Sequence, residues 1–507
     1  MIQLRPTLEA LQTIVADNRA AATKETLPDN LYPVFAYVDA EALTPHTAYL
    51  KLARLDDPNR SPSFLFESAL GGKHLSRYSF IGSNPRKMIK TGAPHGPDVD
   101  PLNLLESELD QYRQFQTPGV PTLCGGAIGY ISYDCIKYFE PRTKRDLKDV
   151  LEVPESALML YDTIVAFDHV YQRLQVITNV KVEADTDLTK AYEDAKKEVQ
   201  RIADLLTSPE VPQPPQGPVT LGKTFTSNIG QKGYEQHVTT LKERIKKGDI
   251  IQAVPSQRVA RPTDLHPFNV YRHLRTVNPS PYLFYIDYLD FQLVGASPEL
   301  LVKIENGRIV SHPIAGTVKR GATPAEDNQL AQELLNSEKD RAEHVMLVDL
   351  ARNDVNRVCD PRSTSVDRLL GVETFSHVQH LVSQVSGVLR PDQTRFDAFR
   401  SIFPAGTVSG APKVKAMELV GELEKEKRGV YAGAVGSFGY NGEAMDTCIA
   451  LRTMLLKDGV AYLQAGGGIV FDSDEYDEYV ETINKMMANN RCIVEAEEIW
   501  AGQQKGE

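Results

Sequence analysis

Four acids give the first indication of chemistry. In DRAEHVMLVDLARND, Asp340 stands one turn before Glu343, and Glu343 has Met346, Leu347 and Leu350 at i+3, i+4 and i+7. That spacing predicts a helix with Glu343 bordering its apolar face. A carboxylate turned toward a core is costly unless it is paired or holds a metal. Arg341 or Arg352 would be the local partner for such a pair. In DSDEYDEYVETINKMM, Glu478 and Glu481 share one helical face. Like charges one turn apart repel mildly unless a cation intervenes, although a Glu481–Lys485 pair on a solvated face would also account for Glu481. Two helices that each present acids, with no His or Cys among them, suggest an oxygen-only site, and Mg2+ suits such a site.

The other candidates are anion holders and proton carriers. Gly466, Gly467 and Gly468 follow the strand-like YLQA. Three glycines let backbone N–H groups approach an anion, or simply loosen a strand end. Arg452, in TCIALRTM, alternates onto one strand face with Cys448 and Ala450, as a buried ion-pair member or a carboxylate binder would. His380 sits amid apolar residues in SHVQHLVSQV, where a hydrogen-bonded core histidine is commoner than a catalytic one. In HPIAGTVKRG the trio Ala315, Gly316 and Thr317 leaves room for a ligand to approach the backbone. Gly217 to Thr224, GPVTLGKT, matches a phosphate-loop pattern letter for letter. The preceding PEVPQPPQ cannot form the buried strand that such a loop needs, so the match is accidental.

These residues must be positioned by a chain of 507 residues, too long for one simple core. Short strand patterns separated by turns recur from Tyr32 to about Leu174, and Ala191 to Leu206 reads as a polar helix. The Pro-rich run 207–224 reads as a linker, so the expected division is an N-terminal domain over 1–206 and a second domain over 225–507. Beyond it, helices are expected at 233–247, 326–352, 395–403 and 474–489, among runs of strands. Strands in runs rather than strict βαβ alternation favour α+β with largely antiparallel sheets. The formal net charge of −12 argues against a nucleic-acid surface. It also means that an anionic ligand needs local cations or backbone N–H groups. Five scattered cysteines without CxxC spacing fit a reducing compartment and show no zinc pattern. No apolar leader or membrane-length stretch is read, so a cytoplasmic location is expected.

Taken together, PIAGT, DRAEHVMLVDLARND, FPAGTVSGAPK, YAGAVG, QAGGGIV and the late ETINK resemble the chorismate-utilising enzymes, in their anthranilate-forming large-subunit branch. The resemblance runs from about Tyr32 to Ala501. It implies a large α+β core of antiparallel sheets packed together and flanked by helices. It also implies that Glu343 and Glu481 ligate Mg2+, with Asp340 and Glu478 nearby, either reaching the ion through water or supporting its ligands from behind. Gly316, Thr317, Tyr431, Arg452, Gly466, Gly467, Gly468 and Lys485 match chorismate-binding positions. His380 matches the histidine needed for pyruvate elimination, and Glu299, in GASPEL, an acid near the departing hydroxyl. Relatives that make aminodeoxychorismate carry a lysine where this chain has Ala315, and isochorismate-forming relatives use another lysine where it has Gln252. Both departures favour free ammonia as the nucleophile and anthranilate as the product.

The same resemblance implies three partners. No G-x-C-x-G elbow surrounds Cys124, so ammonia is expected from a separate glutaminase subunit, in a hetero-oligomer. Chorismate is the expected substrate. SFLFESA and NPSPYLFY resemble the two segments of a tryptophan feedback site, with Glu67 and Ser68 near the amino group and Pro281, Tyr282 and Leu283 shaping the pocket. Read without the resemblance, both are ordinary core strands. The competing readings are an aminodeoxychorismate- or isochorismate-forming relative and a tryptophan-binding regulator without catalysis.

Overall fold

The computed structural model describes residues 2–23, 27–39, 43–68, 77–375 and 378–504. Two antiparallel sheets form its centre. The first has 11 strands in the order Leu31–Asp39, Arg173–Lys181, Thr163–Asp168, Tyr78–Ser83, Ser63–Glu67, Tyr282–Asp287, Gln292–Ser297, Thr453–Lys457, Val460–Gly466, Ser256–Pro262 and Thr226–Ser227. The second runs Ile314–Lys319, Val378–Gly387, Arg308–Ser311, Leu300–Glu305, Met445–Ile449, Ala434–Gly439, Gly126–Ile131, Ser156–Tyr161 and Lys87–Thr91, with Ser365–Thr374 also paired to Val378–Gly387.

Alternation explains the layering, because successive side chains of a strand point to opposite faces. Phe64, Ile164, Phe284 and Ile286 of the first sheet meet Ile128, Tyr130, Met159, Tyr161 and Val435 of the second in one buried cluster. The outer face of the first sheet is covered by Leu8–Ala21, Pro45–Ala53, Leu188–Thr207, Pro267–Val277 and the last helix, Glu475–Gln504. The outer face of the second is covered by Pro101–Leu109, Glu338–Asn356 and Arg395–Ile402. The fold is therefore α+β, as expected. No helix of the described residues is long and apolar enough to cross a membrane.

The expected two-domain division is corrected by the strand pairing. Leu283 pairs with Glu67 across the first sheet, and Ala434 pairs with Ile131 across the second. Both sheets are thus completed by strands from both sides of the Pro-rich run, which has no regular structure of its own over 209–225. Hydrophobic periodicity reads local elements and does not reveal such distant pairing.

Two local expectations also change, and His380, which was given no element, is placed. The helix expected over 326–352 is two helices, Pro324–Asn336 and Glu338–Asn356, because Ser337 caps the second by accepting from the Asp340 N–H. A serine between two helical runs is a start signal. His380 lies on a strand, Val378–Gly387. Arg452 is not within a strand: it sits between Met445–Ile449 and Thr453–Lys457, with φ +47°, where the chain leaves one sheet for the other.

Candidate active site

The two inner ends of the PIAGT strand and the His380 strand define the first part of the site. Their pairing sets Thr317 opposite His380, with a register shift between Ala315 and Thr317. Gly316 is the residue left over, at φ +66°, a conformation that favours glycine. The bulge turns the Gly316 carbonyl to the imidazole: His380 Nδ1 lies 2.9 Å from it and 3.0 Å from Thr317 Oγ1. A carbonyl only accepts, so Nδ1 carries the proton and Nε2 has a free lone pair. His380 is 6% exposed, and its Nε2 is buried without a hydrogen-bond partner. Burial brings its pKa down to about 4, against the opposing effect of the Gly316 bond and with a smaller lowering by the Arg452 charge. At neutral pH it is an uncharged base.

Glu299 is its counterpart. It is 4% exposed and follows the strand Gln292–Ser297. Burial pushes its carboxyl up to about 8, although the Thr407 hydroxyl, the Ile314 N–H and the Arg452 charge all pull it down. Thr407 Oγ1 donates to Glu299 Oε1 at 2.7 Å. The Arg452 charge acts on Glu299, and burial lowers the pKa of Arg452 itself. Its guanidinium is partly buried and thus available to an anionic group.

The acids of the two helices converge on the glycine turn. Glu343 Oε1 accepts from Gln252 Nε2 at 3.4 Å, and burial raises its pKa, with the charges of Glu481 and Asp340 adding to the rise. The pairs with Arg341 or Arg352 are not formed: Arg352 pairs with Asp349, and Arg341 caps the Leu335 carbonyl. Glu478 accepts from Ser473 at 2.7 Å through Oε1, while its Oε2 is buried and unpartnered. Burial raises Glu478 as well. Glu481 pairs with Lys485 at 2.7 Å, and Lys485 also donates to the Gly466 carbonyl at 2.9 Å. A side chain on Gly467 would put its Cβ 2.8 Å from Glu478 Oε2 and 3.8 Å from Glu481 Oε1. One on Gly468 would collide with Gln252 Nε2 and lie 3.6 Å from Glu343 Oε1. Glycine is needed there because the backbone runs against the carboxylates. Asp340 lies further back, bonded to Ser337 Oγ at 2.5 Å and close to the Gly316 backbone. No three or more His, Cys, Asp or Glu side chains among the described residues form a complete metal cage.

Tyr431 closes the end of the glycine turn. It is buried, which raises its pKa to about 12, and its hydroxyl lies beside the Gly466 backbone. Tyr234 OH receives the Gly467 N–H at 3.2 Å and donates to the Pro255 carbonyl at 3.3 Å. Ala315 is buried beside the bulge. The expected site residues of the catalytic half therefore fall into one neighbourhood. Sequence reasoning passed over Thr407, Ser473 and Tyr234, which orient Glu299, Glu478 and the glycine turn. The FPAGT string contained Thr407, but its role depends on a fold-distant carboxylate.

The second candidate site is separate in the chain but lies on the first sheet. Pairing puts Leu283 beside Glu67. Both face the helices, whereas Tyr282 packs between the sheets and donates to Asp446 at 3.0 Å. Glu67 already accepts from Arg275 at 3.0 Å and from Tyr271 at 2.5 Å. Ser68 is partly exposed next to it. Ala69 lies outside the described residues.

The family described as chorismate binding enzyme matches residues 61–491. Anthranilate synthase component 1 of Saccharomyces cerevisiae is 64% identical over 504 residues, covering 99% of this chain and 98% of that protein. The probable anthranilate synthase component 1 of Schizosaccharomyces pombe is 56% identical over 503 residues, covering 99% of each. Among solved structures, anthranilate synthase component I from Streptococcus pneumoniae superposes with a TM-score of 0.74 at 36% identity, over 89% of this chain and 98% of that one. The menaquinone-specific isochorismate synthase of Escherichia coli shares the fold, with a TM-score of 0.70 at 17% identity, over 96% and 98%.

Proposed function

The chain belongs to the family of chorismate binding enzymes and converts chorismate to anthranilate in aromatic amino-acid biosynthesis, and we propose that it does so with ammonia from a partner glutaminase, with Mg2+ at its acidic helices, and under inhibition by tryptophan. The observation that carries the chemical reading is the separation of two buried groups in proton affinity. Glu299 is pushed up to about 8 and His380 down to about 4, so one protonation state at neutral pH holds both an acid and a base.

Ammonia forms a bond to ring carbon C2 as the C4–oxygen bond breaks. Glu299 gives its proton to the departing hydroxyl, which leaves as water. His380 Nε2 then takes the proton from C2, the C3–oxygen bond breaks, and the departing enolate accepts a proton at its methylene carbon to become pyruvate, leaving an aromatic ring, while the proton shed by the new ammonium nitrogen restores Glu299. Arg452 and the N–H groups of the glycine turn are suited to the enolpyruvyl carboxylate. The small Ala315 leaves free ammonia rather than a lysine amine as the nucleophile.

The donor set fits Mg2+. It is oxygen-only, it includes the unpartnered buried Oε2 of Glu478, and glycines keep the space before it clear. Glu343 and Glu481 would hold the ion, with Asp340 and Glu478 behind them, and chorismate and water completing the shell. When bound, the ion offsets and polarises the ring carboxylate.

Each cysteine is buried. Burial pushes Cys124 and Cys492 up to about 12 and Cys359 to about 11, with Cys135 and Cys448 raised as well. Thiols so protonated are poor nucleophiles, which supports a separate source of ammonia. The test is product analysis from chorismate and ammonium, with and without EDTA. Anthranilate and pyruvate should form, stop on chelation and return with Mg2+. Turnover with glutamine by the chain alone would refute the separate glutaminase, and full activity in EDTA would refute the metal.

A further inference from the structure

Arg428 touches none of the groups assigned above to chorismate except Tyr431, yet it is bonded to the segments that carry them. It is 2% exposed. Its Nη1 donates to the Val408 carbonyl at 2.9 Å, and its Nη2 to the Val254 carbonyl at 2.6 Å. Nε and Nη2 form a fork onto Glu424, each at 2.8 Å. The flat face of the guanidinium lies 4.4 Å from the Tyr133 ring centre and 5.7 Å from that of Tyr431. Glu424 in turn accepts from Ser256 N at 2.7 Å and Ser256 Oγ at 2.8 Å, and Ser256 pairs with Gly466. The backbone under Arg428 is also held: Asp134 accepts from the N–H groups of Arg428 at 3.3 Å and Gly429 at 2.7 Å.

We propose that Arg428 is a positioning residue for the reaction, a single buried cation that fixes the Thr407 turn, the Gln252 strand and Tyr431 relative to one another. The Val408 carbonyl belongs to the turn Gly406–Val408, whose Thr407 holds Glu299. The Val254 carbonyl lies two residues from Gln252, which holds Glu343. A planar guanidinium spans two carbonyls and a carboxylate at once, whereas a lysine places its donors at one point. Displacing reacting groups by about 1 Å costs on the order of 100-fold in rate, so this brace acts through geometry rather than contact with the ring.

The inference rests on reading Glu299 as the acid, and the test separates the two. Glu299 faces Thr407 and Arg452, and it lines a cleft with His312 and Asp354. Arg428→Lys should lower kcat on the order of 100-fold with KM for chorismate nearly unchanged. It should also move the basic limb of the kcat–pH profile to higher pH, because the Thr407 hydroxyl that favours the ionised carboxylate is lost. Thr407→Val should move the limb the same way, and the double variant no further. Ser256→Ala loosens the Glu424 anchor without touching a charge. It should lower kcat about 3- to 10-fold at a normal folded fraction, and it decides the matter if the lysine variant does not fold. Wild-type kcat in Ser256→Ala overturns the inference, as does an unmoved limb in a folded Arg428→Lys. A basic limb that survives in Glu299→Gln overturns the acid assignment instead, and the kcat values of the two brace variants then judge Arg428 alone.

Discussion

His380 Nδ1 is bonded to the carbonyl of Gly316 at 2.9 Å, and that contact decides which ring nitrogen can react. It exists because Gly316 bulges from its strand at φ +66°. The opposite nitrogen is left bare and buried. The base is thus made by a backbone irregularity two strands wide, not by a second acid.

His380→Asn should arrest the second half of the reaction. Loss of a placed base costs about 100- to 10,000-fold, and the aminated, non-aromatic ring should accumulate. Mass analysis of quenched single turnovers shows whether pyruvate release, rather than amination, is the step lost. Because its pKa is lowered to about 4, His380 should add no acid limb above about pH 5.

The basic limb should belong to Glu299. Its carboxyl, raised to about 8 by burial, is protonated below that pH and ionised above it, so kcat falls as pH rises through about 8. Thr407→Val removes a bond that favours the ionised form, and the limb should move upward. A downward movement would contradict the geometry.

Gly467→Ala should weaken the metal site. The added methyl would stand 2.8 Å from Glu478 Oε2, too close to leave the carboxylate in place. Half-maximal activity should need about 10- to 100-fold more Mg2+, with near-normal kcat at saturation, read by titration after chelation.

Inhibition by tryptophan should depend on Ser68 and not on the acids. Ser68→Phe should abolish inhibition while leaving ammonia-dependent turnover within about 3-fold, since Ser68 follows the strand Ser63–Glu67 of the first sheet, whereas His380 is on a strand of the second. Unchanged inhibition in steady-state assays would remove this site from consideration.

The last helix, which carries Glu478 and Glu481, is anchored by a buried ion pair. Arg261 and Glu497 are each 1% exposed and meet through two bonds of 2.8 and 2.7 Å. Glu497→Ala leaves an unpaired buried guanidinium and should cost about 3–5 kcal/mol in denaturant unfolding. Arg261→Met with Glu497→Leu should recover most of that loss.

Much of this was legible from the residues. The acids one turn apart, the glycine trio and the two small-residue strings announced a site, because costly residue placements need a reason. The strands with alternating or apolar runs appeared where periodicity put them. Arg452 was misplaced because TCIALRTMLL is uniformly strand-like, and its break at φ +47° comes from a change of sheet that no local pattern encodes. The Thr407–Glu299 bond joins residues more than a hundred positions apart. The strands Ser365–Thr374 and Val378–Gly387 were not anticipated, although the second carries His380, because polar residues interrupt their alternation.

The interleaving of the two sheets has a consequence for how the chain is born. Gly126–Ile131 waits for Ala434–Gly439 as its neighbour, roughly 300 residues later, and at about 5–20 residues per second a ribosome needs on the order of 15–60 s to supply it. Ser63–Glu67 likewise waits for Tyr282–Asp287. Throughout that interval each nascent chain exposes two apolar strand edges to its neighbours on the same message. Safe production of this protein is therefore governed by spacing between ribosomes and by chaperone supply, and slowing initiation should raise the soluble yield more than slowing elongation.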